Sequence, residues 1–172
     1  IIPNDDVTGF IRNIQEDYVN KDLLFLGTEL GLYITINGGD KWSKFTKNVP
    51  PVAIHYIELQ ANTNDLVMGT HGRGVIIIDD ISPLREINET NLSKKLYFFE
   101  RDEIEIQEFG GFADNFGRET QFIGANSSLS CQIQYLLPRR HTFGKMTMEI
   151  QDMEGNKVTT LNPGKTKGIN TV

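Results

Sequence analysis

The chain has only one cysteine, Cys131, among its 172 residues, so no disulfide can form within it. The fold must therefore be held by packing and hydrogen bonds. Long hydrophobic runs are missing too, since no stretch approaches the roughly 20 apolar residues of a membrane-spanning helix. The sequence thus predicts a chain that does not span a membrane.

Positive charge is also scarce. The sequence holds 17 Lys and Arg residues against 23 Asp and Glu residues, a net charge of −6. Its largest basic groups are the doublets Lys94-Lys95 and Arg139-Arg140, which are far smaller than a basic stripe that binds nucleic acid. We therefore expect no nucleic-acid partner.

Patterns for metals and cofactors are weak. His55 and His141 have no partner at metal-ligand spacing, and Cys131 is expected to be a small buried side chain in an alternating strand. Gly164-Lys165-Thr166 lacks the glycine that a phosphate-binding loop needs five residues earlier, where Thr159 stands. The sequence therefore predicts no metal and no cofactor.

The first half of the chain repeats itself, in short elements separated by glycine turns. Residues 23–37 read LLFLGTELGLYITIN, and residues 66–79 read LVMGTHGRGVIIID. Gly27-Thr28 recurs as Gly69-Thr70, 42 residues later. Strands that are apolar on both faces indicate sheets covered on both sides.

Two isoleucines upstream follow the same repeat. Ile11 and Ile14 recur 43 residues later as Ile54 and Ile57. A period of roughly 40–45 residues with several short strands per unit is typical of β-propeller blades. A solenoid with this period is the alternative. The short strands separated by turns favour a propeller over a solenoid.

Residues 35–42, TINGGDKW, resemble the Asp box, whose pattern is Ser/Thr-x-Asp-x-Gly-x-Thr-Trp. Thr35, Gly39 and Trp42 match this pattern, whereas Asn37 replaces the usual Asp and Lys41 the usual Thr. We expect Asn37 to bind backbone amides inside a turn and Trp42 to fold back as a hydrophobic plug. The motif therefore indicates a structural role, and a catalytic role is the weaker alternative.

The most distinctive loop is residues 71–74, HGRG. One interpretation is that it presents His71 and Arg73 to an anionic ligand. The other is a tight turn in which Arg73 binds loop carbonyls or Asp79. Both interpretations stay open at this point.

The second half of the chain has a different texture. Residues 85–95 are polar and predict a linker. Beyond them, residues 130–136 and 145–151 alternate polar and apolar side chains, and residues 152–156, DMEGN, predict a hairpin turn with its partner strand at 157–161.

These observations predict an all-β chain of two domains. Residues 1–84 would be the C-terminal blades of an incomplete β-propeller. Residues 96–172 would be an immunoglobulin-like β-sandwich, truncated because the last residues look like the start of another strand. The incomplete propeller and the truncated sandwich lead us to expect a piece of a longer protein. The chain also starts at Ile1 without a methionine, so the lack of a signal peptide in it says nothing about that longer protein.

A longer resemblance builds on the Asp-box-like turn. Together with residues 24–33, 67–74 and 79–84, it is similar to the terminal blades of bacterial BNR-repeat proteins, which resemble sortilin-type and xyloglucanase-type propellers. Such proteins are often labelled glycosyl hydrolases and continue into an immunoglobulin-like or fibronectin-like domain, which residues 133–137 and 148–152 resemble. The resemblance implies a periplasmic, cell-surface or secreted location.

Two functions follow as hypotheses. The first is a non-catalytic protein-interaction or scaffold module, whose partners are the remainder of its own propeller and other protein chains. The alternative is a fragment of a polysaccharide-acting glycoside hydrolase, with polysaccharide as ligand. Its catalytic carboxylates would lie mostly outside this chain, because Asp79-Asp80 is better suited to closing a strand than to forming an acid–base pair.

Overall fold

The structure is a computed structural model that describes residues 6–101 and 131–172. The chain divides into two compact units, Ile1–Lys94 and Lys95–Val172.

Residues 6–45 form a four-stranded antiparallel sheet, the first sheet, in which each strand pairs with the next along the chain. Apolar side chains cover both faces of its second strand, as the sequence predicts for a strand packed on both sides. The strands are β1 (Ile11–Glu16), β2 (Leu24–Thr28), β3 (Gly31–Thr35) and β4 (Ser43–Phe45).

The second sheet repeats this arrangement with three strands in the described part of the unit, in chain order. Both sheets carry a β-bulge at the equivalent point of their first strand, between Ile11 and Asn13 and between Ile54 and Tyr56. After its last strand the chain leaves the sheet and enters a short helix, whose first turn accommodates Pro83. The strands are β5 (Ile54–Gln60), β6 (Asp65–Thr70) and β7 (Val75–Ile78).

The two sheets pack against each other, with β5 in contact with β1 and β2. Gly27 makes this approach possible, because a Cβ at this position would lie 2.9 Å from the backbone oxygen of Ile54. Fully buried apolar side chains from both sheets form the core of the unit: Phe25, Leu32, Ile54, Ile57, Leu66 and Met68.

Two short helices follow, α1 (Ser82–Arg85) and α2 (Glu89–Ser93). Asn88 caps α2 by accepting a hydrogen bond from the backbone N–H of Asn91. Arg85 reaches back to the first sheet and binds the buried carboxylate of Asp17. Most of the segment expected to be a linker, residues 85–95, is therefore folded into the first unit.

The second unit contains a sheet in the order β12-β9-β8 and a separate hairpin of β10 with β11 among its described residues. The hairpin and its turn at residues 152–156 confirm the sequence prediction. Residues 102–130, which belong to the expected sandwich, lie outside the described residues. The strands are β8 (Tyr97–Phe98), β9 (Gln134–Leu137), β10 (Met148–Gln151), β11 (Lys157–Leu161) and β12 (Gly168–Thr171).

Buried Tyr135, Leu136 and Leu137 of β9 supply the core of this unit. The Tyr135 hydroxyl donates a 2.6 Å hydrogen bond to the Gly164 carbonyl, and burial raises the pKa of Tyr135. Cys131 is exposed and precedes the strand, so the prediction of a buried cysteine was wrong. The alternating sequence pattern extends further towards the N-terminus than β9, whose paired residues begin at Gln134.

The predicted all-β class is confirmed, since antiparallel sheets dominate both units. The propeller and immunoglobulin-like assignments stay predictions. In residues 6–101 and 131–172, no helix is long and apolar enough to cross a membrane.

Candidate functional site

The Asp-box-like residues form the turn between β3 and β4. The Thr35 hydroxyl donates to Asn37 Oδ1 at 2.8 Å and accepts the backbone N–H of Gly39 at 3.1 Å. Asn37 Oδ1 also accepts the backbone N–H of Lys41 at 3.0 Å. Gly39 has a φ of 99°, a backbone conformation that residues other than glycine rarely adopt. These bonds fix the turn from within.

Trp42 ends this turn and is buried against Leu26 and Tyr33. Its backbone N–H donates to the carboxylate of Asp6 at 3.3 Å. The indole N–H has no acceptor among the described residues, so Trp42 stabilises the unit through buried area rather than through a side-chain hydrogen bond. The geometry gives the turn a structural role.

The hairpin loops at the opposite end of the strands carry the charged and imidazole side chains. In the first sheet, the guanidinium of Arg12 pairs with the carboxylate of Glu29 in the β2–β3 loop. Both side chains are partly exposed. The negative charge of Glu29 in the β2–β3 loop is therefore balanced by Arg12 of the same sheet.

The second sheet places His55 and His71 at the equivalent positions. The rings of these two residues lie 5.7 Å apart between centroids, tilted by 33°. The backbone confirms the equivalence, because His71 N–H donates to the Ala53 carbonyl as Glu29 N–H donates to that of Phe10. Where the first sheet has an ion pair, the second has two facing imidazoles.

Arg73 extends from the same loop and is exposed. It makes no hydrogen bond or ion pair with any residue of 6–101 or 131–172, so the expected bonds to loop carbonyls or Asp79 do not form there. The loop itself is held by the Gly74 carbonyl, which accepts from the backbone N–H and the hydroxyl of Thr70. The turn is therefore closed without Arg73, which leaves its guanidinium available.

His55 is the member of this cluster that the sequence prediction missed. Taken as an isolated histidine it had no partner at metal-ligand spacing. The repeat contains a signal that identifies this neighbour. His55 corresponds to Arg12, which lies 43 residues earlier, and His71 corresponds to Glu29, which lies 42 residues earlier. Because Arg12 and Glu29 pair in the first sheet, the repeat predicts that His55 and His71 are neighbours in the second.

Comparisons with protein-family models, curated proteins and solved structures gave no match to this chain. Within the described residues, no group of three or more His, Cys, Asp or Glu side chains lies close enough to hold a metal ion. The cluster of His55, His71 and Arg73 is the candidate site, because the two imidazole rings are neighbours and Arg73 lies in the same β6–β7 loop as His71. Its side chains offer N–H hydrogen-bond donors.

Proposed function

We propose that this chain is a non-catalytic protein-interaction or scaffold module of a larger secreted or surface β-propeller protein. It binds a carboxylate of an acidic partner segment at His71 and Arg73. The observation that carries this proposal is the exposed guanidinium of Arg73, which is unpaired within the described residues and lies on the loop where two imidazoles face each other.

The repeat supports the propeller part of the proposal. Two successive antiparallel sheets share strand order, bulge position and loop hydrogen bonds, and β5 of the second packs on β1 and β2 of the first. The turn of residues 35–42 between β3 and β4 has the internal bonding that an Asp box needs. In this proposal the two sheets are neighbouring blades, and the second unit is an immunoglobulin-like spacer.

The ligand chemistry follows from the side chains. An arginine guanidinium presents its donors in a planar fork that matches the two oxygens of a carboxylate. An imidazole N–H can donate one further hydrogen bond. Because the cluster is exposed, its attraction for an anion is screened by salt, so binding should weaken as ionic strength rises.

Fluorescence anisotropy with a labelled oligoglutamate peptide tests this site. We expect Arg73→Ala to weaken peptide binding about tenfold, which corresponds to losing one hydrogen-bonded charge contact, and Arg73→Lys to retain part of the affinity. Arg140→Ala is the matched control, because Arg140 is an exposed arginine of the second unit and should bind as the wild type does. Equal affinity of the wild type and Arg73→Ala would refute the proposal.

A further inference from the structure

One face of the second sheet is apolar and open to solvent. Tyr56, Val75 and Ile77 lie on it, with 57%, 64% and 55% of their surfaces exposed. Glu58 shares this face, where its carboxylate accepts a 2.9 Å hydrogen bond from the Tyr56 hydroxyl. We call this surface the Gly69 face, because Gly69 lies between Tyr56 and Val75.

Gly69 has no local reason to be glycine. A Cβ there would meet only the Cβ of Tyr56 among the described residues, at an ordinary contact distance of 3.6 Å, and its φ is not positive. Glycine inside a strand weakens the strand, and it often marks a place where another backbone approaches closely. Its repeat equivalent, Gly27, serves that purpose, since a Cβ there would lie 2.9 Å from the Ile54 backbone oxygen.

The repeat identifies the backbone that would approach Gly69. Ile54 and Ile57 belong to β5, which packs on β1 and β2, and they are 0% and 1% exposed. Ile54 lies against Gly27. Their equivalents, Ile11 and Ile14 of β1, are 46% and 50% exposed. The chain thus uses this interface once internally, and among the described residues each half of it recurs on a surface that is largely exposed.

We propose that a second copy of this chain docks on the Gly69 face through its Ile11 and Ile14, repeating the contact that Ile54 and Ile57 make inside each copy. A second copy is the occupant because this chain carries both halves of the contact that it already makes internally. This inference goes beyond the proposed function, because it uses the sheet faces and not the loop cluster of His71 and Arg73.

Such a contact is heterologous, since each copy contributes a different surface. Heterologous contacts leave one surface free at each end of a dimer and so continue into rings or open filaments. The wild-type chain should therefore show a mass that increases with concentration beyond the dimer.

Sedimentation equilibrium on the full chain and its variants tests the proposal. Ile77→Lys disables the Gly69 face, and Ile14→Lys disables the opposite surface, so we expect each variant alone to be monomeric. Mixing the two variants should restore a one-to-one dimer. Ile77→Lys retains the surface of Ile11 and Ile14, and Ile14→Lys retains the Gly69 face, so one complete contact can form. Val19→Lys, a substitution of an exposed apolar residue outside both surfaces, is the matched control and should assemble as the wild type does.

Gly69→Ala gives a second, independent variant. Its added methyl group makes only an ordinary contact with Tyr56, at 3.6 Å, in the single chain, so circular dichroism should show an unchanged fold while assembly is lost. A wild type that stays monomeric up to its solubility limit would overturn the proposal. So would a mixture of Ile77→Lys and Ile14→Lys that remains monomeric while the wild type assembles, because that result would indicate a contact between identical surfaces.

Discussion

Arg85 forms a bidentate ion pair with Asp17. Its Nε lies 2.9 Å from Oδ2 of the carboxylate, and its Nη2 lies 2.9 Å from Oδ1. The Asp17 side chain is fully buried, and that of Arg85 is 13% exposed. Arg85 also donates to Asn64 at 2.7 Å and lies over the ring of Tyr18. One side chain from α1 thus joins the β1–β2 turn of the first sheet to the β5–β6 turn of the second.

The charge of Arg85 persists across the pH range in which proteins are folded. Burial lowers the pKa of Arg85, but its hydrogen bond and attraction to Asp17, with a contribution from Tyr18, raise it by more. The pKa therefore lies above its ordinary value, and the guanidinium does not lose its proton.

We expect Arg85→Ala to destabilise the first unit by about 3–5 kcal/mol, because it leaves the buried carboxylate of Asp17 without its counter-charge. The backbone N–H groups of Val19 and Asn20 would still donate to this carboxylate but carry no charge. Urea unfolding followed by tryptophan fluorescence measures this, since Trp42 is the only tryptophan in the sequence. Arg12→Ala is the control. It removes the exposed ion pair with Glu29 and should cost less than about 1 kcal/mol. Equal losses for the two variants would contradict the bridging role.

Trp42→Ala should cost about 3–5 kcal/mol, because it empties the buried site against Leu26 and Tyr33. Thermal unfolding monitored by circular dichroism provides the measurement. Phe10→Ala removes an aromatic side chain that is mostly exposed, so this control should change stability by no more than about 0.5 kcal/mol. An unchanged melting temperature for Trp42→Ala would refute the plug.

The β10–β11 turn carries a pH dependence of known sign. The Asn156 side chain and then its backbone N–H lower the pKa of Asp152 below the ordinary 3.8 by hydrogen bonding to the ionised carboxylate. The bonds therefore stabilise the turn at pH values above the unfolded pKa, and this contribution is lost as the pH falls through the lower folded pKa. Carbon-13 NMR titration should give a midpoint below 3.8 for Asp152. A midpoint at or above this value would show that the turn bonds are absent.

Local patterns in the sequence predicted the features that depend on neighbouring residues. The hairpin at residues 152–156 and the glycine loops of both sheets follow from turn chemistry, and the recurrence of Gly27 as Gly69 follows from the repeat. The bond between Asp17 and Arg85 could not be predicted in this way, because 68 residues separate its partners. For the same reason the polar segment 85–95 looked like a linker.

The candidate site was predicted in part. His71 and Arg73 were singled out because glycines flank Arg73, but the expected bonds of Arg73 within its loop do not form among the described residues. His55 was missed because it lies on β5, whereas its neighbour His71 lies 16 residues later in the β6–β7 loop. Whether such side chains meet depends on strand register, which the repeat fixes only when both copies are compared position by position.

The central claim of this account is that the two sheets are copies of one unit and that Gly27 carries the contact between them. Chemical denaturation of Gly27→Ala and Gly69→Ala tests it most directly, at concentrations where both are monomeric. The added methyl group in Gly27→Ala would overlap the Ile54 carbonyl and should cost about 1–3 kcal/mol, whereas Gly69→Ala should be neutral or slightly stabilising. Equal stability of the two variants would contradict the claim.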